Sequence, residues 1–277
     1  MSAKSAFLSD RGVLRVGGAD ATPFLQGLLT NDVETLPPGA ARYAALLTPQ
    51  GKVLFDFLVL REAGESGAFL LDCPLDQAAA LSKRLGFYRL RAKVTIDNAS
   101  ADLGVAAFWD GAPDAAWTAR AFADPRDARL GFRVVGPRAE LAALGDAGDA
   151  DYEAHRIALG APRGGVDFAY GDIFPHDANM DLLHGLEFEK GCYVGQEVVS
   201  RMRHRGTLRK RIVRLHLAGA APAPGTPVLD GALAVGTLGS SSGEMALAQM
   251  RIDRLDEARA AGRPLSAGGV RVEAAEG

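Results

Sequence analysis

The segment richest in potential chemistry surrounds Cys192, in the run KGCYVGQE from Lys190 to Glu197. Apolar residues at helical spacing follow it, which predicts a helix that starts at about Gly195, just after the thiol. The positive end of the helix dipole and the charge of Lys190 would both favour the thiolate, the form that attacks electrophiles or binds metal. The pattern thus indicates a reactive cysteine, although a small buried cysteine between turn-forming glycines explains it equally well.

A basic stretch follows this segment. Its members are Arg201, Arg203, His204, Arg205, Arg209, Lys210 and Arg211. Some of these cations would lie at the C-terminal end of the predicted helix, where the dipole favours them, so one interpretation is a solvated face. The other is a site for an anion such as a polyglutamate tail, a phosphate or an acidic protein surface. Since no aromatic residues alternate with the cations, we expect no direct nucleic-acid partner.

A second candidate is Asp56, which lies in the apolar run from Val53 to Leu60. A carboxylate with apolar neighbours on both sides is costly to bury unless it has a partner, such as an arginine, backbone donors or the amine of a ligand. From the residues alone, an internal salt bridge is the simpler explanation and a ligand contact is the alternative.

The cysteines and histidines do not form a recognisable metal site. Cys73 and Cys192 lie far apart and outside any CxxC pair, so neither a disulfide framework nor a self-contained zinc or iron-sulfur site is supported. The spacing of His176, His184 and His204 matches no ligand motif, and we expect no bound structural metal. Signatures of nucleotide-binding loops and of the common hydrolases are also missing.

Length and composition describe an ordinary globular protein. The chain has 277 residues, of which 23% are charged and 48% hydrophobic, and a formal net charge of -3, so neither disorder nor a general affinity for nucleic acid is indicated. No apolar stretch approaches the roughly 20 residues of a membrane-spanning helix, and the N-terminus lacks the pattern of a secretory signal. We therefore expect a cytoplasmic protein with no membrane partner.

Periodicity and turn residues predict the elements that position these candidates. The runs from Tyr43 to Leu47 and from Val53 to Leu60 are typical of strands joined by a turn, which places Asp56 in a hairpin. Other predicted elements are helices over 22–29, 75–85, 139–144 and 152–159 and strands over 69–72 and 130–135. Short apolar runs between glycines near the C-terminus favour a small all-β barrel, so the predicted domains are 1–206 and 207–277.

The run from Lys190 to Glu197 resembles the signature octapeptide of the YgfZ family, and Arg201 with Arg205-Gly206 fits its continuation. Further segments agree with that family in order: 24–27, 30–33, 47–52, 90–94, 174–177, 235–237 and 246–248. The resemblance thus covers almost the whole chain.

This resemblance implies an α+β fold similar to that of the glycine-cleavage T-protein, with an aminomethyltransferase-like folate-binding domain of two related halves, a small C-terminal β-barrel and a central channel. Members of the family are associated with tetrahydrofolate binding and with assembly or repair of iron-sulfur enzymes, particularly four-iron ones. Bacterial members also affect tRNA thiomethylation. The expected cofactor is tetrahydrofolate or a derivative, and the expected partners are folate and iron-sulfur client enzymes or assembly proteins.

The resemblance also implies roles for individual residues. Cys192, with Lys190 beside it, would be the functional cysteine of the family. The expected cofactor-binding residues are Tyr43, Asp56, Asp72, Gln196, Glu197 and Arg201.

Comparison with the T-protein branch separates two functional hypotheses. Asp56 matches the second of two adjacent aspartates there, the one that contacts folate, whereas Phe55 replaces the first. Asp72 and Tyr43 match a folate-contacting asparagine and a nearby tyrosine. In the first hypothesis the protein is a folate-dependent accessory factor with Cys192 as a transient nucleophile or cluster contact. In the second it is a folate-dependent aminomethyl transferase in which Cys192 is structural, and the missing aspartate favours the first. A folate-binding scaffold with an unreactive cysteine is a third possibility.

Overall fold

The computed structural model describes residues 3–64, 66–144, 147–205 and 208–275, apart from the side chains of His204 and Arg205. Two antiparallel sheets with short helices form the N-terminal part, and a closed barrel forms the C-terminal part. The predicted boundary between Gly206 and Thr207 lies outside the described residues.

Helices separate groups of two or three strands along the N-terminal part. They are β1 (Lys4–Phe7), β2 (Arg11–Gly17), α1 (Ala21–Gln26), β3 (Ala41–Leu47), β4 (Val53–Arg61), β5 (Phe69–Pro74), α2 (Leu75–Arg89), β6 (Thr95–Asn98), β7 (Leu103–Trp109), α3 (Ala115–Thr118), β8 (Ala121–Ala123), β9 (Phe132–Pro137), α4 (Arg138–Leu141) and α5 (Asp149–Ala158). The later elements are α6 (Gln196–Arg205), β10 (Lys210–Leu217), β11 (Pro227–Asp230), β12 (Leu233–Ser242), β13 (Met245–Arg251), α7 (Ile252–Ala260), β14 (Leu265–Ala267) and β15 (Val270–Ala274).

The strand order is β3-β4-β5-β2-β6 in the first sheet and β1-β7-β9-β8 in the second. Six strands of the described residues close the barrel in the order β10-β13-β12-β11-β14-β15. These features confirm the predicted α+β fold with a small C-terminal barrel.

The first sheet is buried on both faces. Successive side chains of a strand point to opposite faces, so Tyr43 and Ala45 of β3 pack in one core while Ala44 and Leu46 pack in another. Helix α2 covers the second of these faces, whereas α5 lies on the side of the first core. The strand β4 between them therefore has a carboxylate, Asp56, in a sheet that is covered on both sides.

Most predicted elements of this part are confirmed with small shifts at their ends. The predicted hairpin is β3 and β4, with Gly51 of its turn at a φ of +80°. Strand β9 begins at Phe132, two residues later than predicted, because Gly131 adopts a φ of +82° and turns the chain. Within the described residues, no helix is long and apolar enough to cross a membrane.

Candidate functional site

Asp56 lies in the middle of β4, and only 7% of the residue is exposed. Tyr43 Oη donates a hydrogen bond to Asp56 Oδ2 at 2.9 Å, and Tyr170 Oη donates to Asp56 Oδ1. Burial, together with the nearby carboxylate, raises the pKa of both tyrosines, so both hydroxyls stay protonated and act as donors. Among the described residues no cation forms an ion pair with Asp56, so the simpler expectation of a salt bridge does not hold here.

A glycine makes room for this arrangement. A Cβ atom on Gly164 would lie 2.6 Å from Asp56 Oδ1 and 2.1 Å from Tyr170 Oη, closer than a real Cβ can approach. Sequence analysis did not identify Gly164 or Tyr170 as part of this site. The pairing of Gly164-Gly165 with a following tyrosine was the available signal.

Asp72 is enclosed by two arginines and is 1% exposed. Arg11 Nε donates to Asp72 Oδ1 at 2.6 Å, and Arg133 donates to Asp72 Oδ2 at 2.7 Å and to Asp124 Oδ2 at 3.0 Å. Burial acts to raise the pKa of Asp124, but Arg126 and Arg133 outweigh it and hold that pKa well below its usual range. Asp72, predicted to contact folate, therefore orients arginines rather than facing the cavity.

A cavity of about 140 Å³ opens beside Asp56, between the two sheets and α5. Tyr43 and Asp56 lie on its wall. Its charged lining consists of the arginines Arg11, Arg126, Arg133, Arg156 and Arg163 and the carboxylates Asp10, Asp56, Asp149 and Glu153. Such a surface offers both hydrogen-bond acceptors and cationic donors to a polar ligand.

Cys192 lies on the surface, in the non-helical segment that leads into α6 at Gln196. The prediction of a helix that begins just after the thiol is confirmed. Cys73 is completely buried, and burial raises the pKa of its thiol to about 12. The interpretation of a small buried cysteine therefore fits Cys73, and Cys192 is the thiol that a reagent or partner can reach.

Lys190 anchors the segment that carries Cys192. Its Nζ donates to the carbonyl oxygens of Gln26, Leu29 and Asn31 at 2.8, 2.7 and 2.8 Å. Burial lowers the pKa of this ammonium to about 8. An ammonium has three N–H bonds, so these contacts use all of them and leave none for a thiolate.

Gly195 docks the same segment onto the turn of the β3–β4 hairpin. Its φ is +84°, and a Cβ there would lie 2.6 Å from the carbonyl oxygen of Thr48. A Cβ on Gly51 would lie 2.8 Å from Val198 Cβ. The space beside Gly195 is thus filled by the hairpin, whereas a Cβ on Gly191 would meet nothing within 4 Å.

The predicted cofactor-binding residues divide between two places. Tyr43 and Asp56 meet in the cavity. Gln196, Glu197 and Arg201 lie on α6, and none of them is among the described residues that line the cavity. The structure therefore brings the candidates together only as two separate sites.

The basic stretch is not one uniform solvated face. Arg203 lies over the ring of Phe188 at 4.1 Å, and Arg211 forms a two-pronged ion pair with Asp181. Among the described residues, no group of three or more histidine, cysteine and acidic side chains is placed to hold a metal ion.

Two protein-family models match the chain. The GCVT N-terminal domain matches residues 8–156, and the C-terminal beta-barrel domain of CAF17 matches residues 209–276. The glycine cleavage system aminomethyltransferase T from Bartonella henselae has the same fold. It aligns with a TM-score of 0.78 and 20% identity, over 99% of this chain and 85% of that one.

Three curated relatives are similar over most of this chain. The mitochondrial iron-sulfur cluster assembly factor IBA57 of Homo sapiens is 36% identical over 278 residues, covering 90% of this chain and 77% of the relative. The Mus musculus protein of that name is 36% identical over 282 residues, covering 90% of this chain and 77% of the relative. The homolog from Mycosarcoma maydis is 37% identical over 238 residues, covering 79% of this chain and 59% of the relative.

These names correct one expectation and refine another. The predicted cytoplasmic location is wrong by this comparison, since all three relatives are named as mitochondrial. The expected relation to the T-protein and to iron-sulfur cluster assembly is confirmed, whereas membership of the YgfZ family specifically is not, because the matching domains and relatives carry other names. With its GCVT N-terminal domain and CAF17 barrel, the chain belongs to the family of the iron-sulfur cluster assembly factor IBA57.

Proposed function

We propose that this protein is a tetrahydrofolate-binding accessory factor in the assembly or repair of the iron-sulfur clusters of four-iron enzymes, with Cys192 at the point of contact. The observation that carries the proposal is an exposed thiol on a segment that Lys190 and Gly195 fix to the folded domain. The relatives' name, iron-sulfur cluster assembly factor, supports the role in assembly.

A single exposed thiol limits what Cys192 does. A thiolate attacks electrophiles or binds the iron of a cluster, and clusters are commonly held by four cysteine ligands. The other cysteine, Cys73, is buried, and no cluster of metal-ligating side chains is found among the described residues. An iron-sulfur cluster would therefore be cargo, with its remaining ligands supplied by a second protein.

The chemistry of the cavity wall beside Asp56 supports binding of the pterin end of a folate. Each carboxylate oxygen of Asp56 accepts one tyrosine hydroxyl and keeps lone-pair capacity for the amino group and ring N–H of a pterin. Arg163, a half-buried arginine on the cavity wall, would face the carboxylates of the glutamyl end. A bound tetrahydrofolate would supply a carrier for a one-carbon unit.

Aminomethyl transfer is not favoured as the function. Phe55 occupies the position of the first aspartate of the T-protein branch. The likeness to the Bartonella enzyme, at 20% identity, concerns the fold alone.

The role of the thiol is tested in cells that lack the protein, by measuring the activity of a four-iron enzyme after complementation. Wild type and the control Cys73→Ala are expected to restore activity, whereas Cys192→Ser is expected to fail although it is folded and present at the same level. Restoration by Cys192→Ser would overturn the proposed use of the thiol.

The role of the cavity is tested separately, by calorimetric titration of the purified protein with tetrahydrofolate without oxygen. Asp56→Asn is expected to weaken binding by about 10- to 100-fold, because a charged hydrogen-bond acceptor is lost. Cys192→Ser is the matched control and is expected to bind as wild type does. If wild type does not bind, the folate part of the proposal fails while the assembly part stands.

A further inference from the structure

The C-terminal end of α2 and the loop after it, residues 83–93, form a basic tip that the proposed function does not use. This segment contains five cations and no carboxylate: Lys83, Arg84, Arg89, Arg91 and Lys93. All except Arg84 are exposed. Many arginines of the described chain are paired with carboxylates, but none of these five takes part in a described ion pair.

Two large apolar side chains project among these cations. Phe87 is 62% exposed and Leu90 is 88% exposed. Leu90 also adopts a φ of +44°, in the region of backbone space that favours glycine. The fold gains little from burying either side chain, so a polar residue would serve it equally well. Apolar side chains exposed beside unpaired cations point to a contact outside the chain.

The basic tip is separate from the folate cavity. Helix α2 packs through Leu81 and Leu85 on the core that also contains Leu71. Tyr43 and Leu58, which line the cavity, belong to the other core on the opposite face of the first sheet. A ligand at the tip would therefore not occupy the cavity.

We infer that the basic tip binds the surface of an anionic lipid bilayer. Lysine and arginine side chains are attracted to anionic headgroups, while phenylalanine and leucine enter the boundary between headgroups and acyl chains. Phe87 and Leu90 project from the surface, and a bilayer accepts projecting side chains, whereas an acidic protein would need a matching pocket. This departs from the expectation of no membrane partner, which rested on the lack of a spanning segment.

The test is co-sedimentation of the full chain with vesicles at low salt. Vesicles of phosphatidylcholine with phosphatidylglycerol are expected to bind the protein, and vesicles of phosphatidylcholine alone are not. Replacing Arg89, Arg91 and Lys93 together by Gln is expected to weaken binding about 100-fold, at about fivefold per cation. The matched control replaces the exposed cations Arg209, Lys210 and Arg259 by Gln and is expected to bind within about twofold of wild type.

A second pair of variants tests the apolar part of the contact. Phe87→Ser combined with Leu90→Asn is expected to weaken binding about tenfold, since asparagine tolerates the left-handed backbone and removes only the apolar group. Leu233→Asn, at another exposed leucine, is its control. Equal losses in the two charge variants would overturn the inference. The inference would also be overturned if the protein bound neither kind of vesicle. Binding of polyglutamate through the tip would in that case indicate an acidic protein as the partner.

Discussion

Near Asp56, buried aspartates and arginines form ion pairs with one another. Near Cys192, by contrast, the thiol is exposed and the backbone of the segment is fixed by its contacts. For example, the Arg133 guanidinium donates hydrogen bonds to two buried aspartates, Asp72 and Asp124. The Cys192 segment is instead fixed through the contacts of Lys190 with backbone carbonyls and through the close packing of Gly195.

The difference shows two ways of preparing a site. A small ligand needs side chains that already point in the right direction, because each one that must be ordered on binding weakens affinity. A contact with another protein or its cluster needs an accessible atom at a fixed position, with space around it. The segment from Lys190 to Glu197 is therefore held mainly through its backbone and its packing, and this leaves the thiol of Cys192 accessible.

The largest effect is expected from Arg133→Met. It removes a guanidinium from Asp72 and Asp124 and leaves buried carboxylates with fewer partners, which costs about 3–5 kcal/mol of the free energy of unfolding. Urea denaturation followed by circular dichroism measures it. The matched control is Arg129→Met, which breaks the pair with Asp127 at a guanidinium that is 68% exposed. That change is expected to leave the free energy of unfolding nearly unchanged. A loss as large as that of Arg133→Met would mean that burial does not strengthen the ion pairs of Asp72 and Asp124.

The next effect concerns the packing of the cysteine segment. Gly195→Ala places a Cβ 2.6 Å from the carbonyl oxygen of Thr48 at a φ of +84°, so we expect a loss of about 2–3 kcal/mol in the same denaturation experiment. Gly191→Ala, four residues earlier, meets nothing within 4 Å and is expected to change stability by less than about 0.5 kcal/mol. A harmless Gly195→Ala would show that the hairpin does not position the segment.

Local sequence patterns predicted well the strands and the helix that position Asp56 and Cys192. The β3–β4 hairpin followed from two apolar runs around Pro49 and Gly51, and the start of α6 followed from the apolar spacing after Gly195. These features depend on neighbours in the chain, which is why one sequence is enough to find them. The fold itself came from resemblance over the whole length.

The partners of the buried charges could not be predicted. Arg133 and Asp72 are separated by 61 positions, and Tyr170 and Asp56 by 114. Nothing local distinguishes a carboxylate that accepts two tyrosine hydroxyls from one that accepts an arginine. From the residues alone a salt bridge was the simpler expectation at Asp56, and the resemblance implied a folate contact at both aspartates. The structure instead places the ion pairs at Asp72 and leaves Asp56 on the cavity wall.

A smaller effect separates the two cysteines. Cys73→Ser places a hydroxyl in a fully buried position and is expected to cost about 1–3 kcal/mol, whereas Cys192→Ser is expected to cost less than about 0.5 kcal/mol. A thiol reagent should modify the folded protein at Cys192 and reach Cys73 only on unfolding. Mass spectrometry of the labelled protein checks this, and rapid labelling of Cys73 would contradict the buried position.

The smallest effect is a pH dependence next to the cysteine segment. His176 is 2% exposed, its Nδ1 is buried without a hydrogen-bond partner among the described residues, and its ring lies 6.2 Å from that of Phe188. Burial lowers the pKa of His176, so the unfolded chain takes up a proton at a pH where the folded chain does not.

Stability should therefore fall as the pH drops below about 6.5 and continue to fall until the folded-state pKa is passed. In His176→Phe this part of the acid dependence is expected to disappear, because the group that titrates only in the unfolded state is gone. The matched control is His184→Asn, at an exposed histidine for whose side chain no partner is described. The comparison requires urea midpoints for the three proteins across this pH range. If His176→Phe keeps the slope of wild type, the acid sensitivity originates at another group and the buried imidazole of His176 does not account for it.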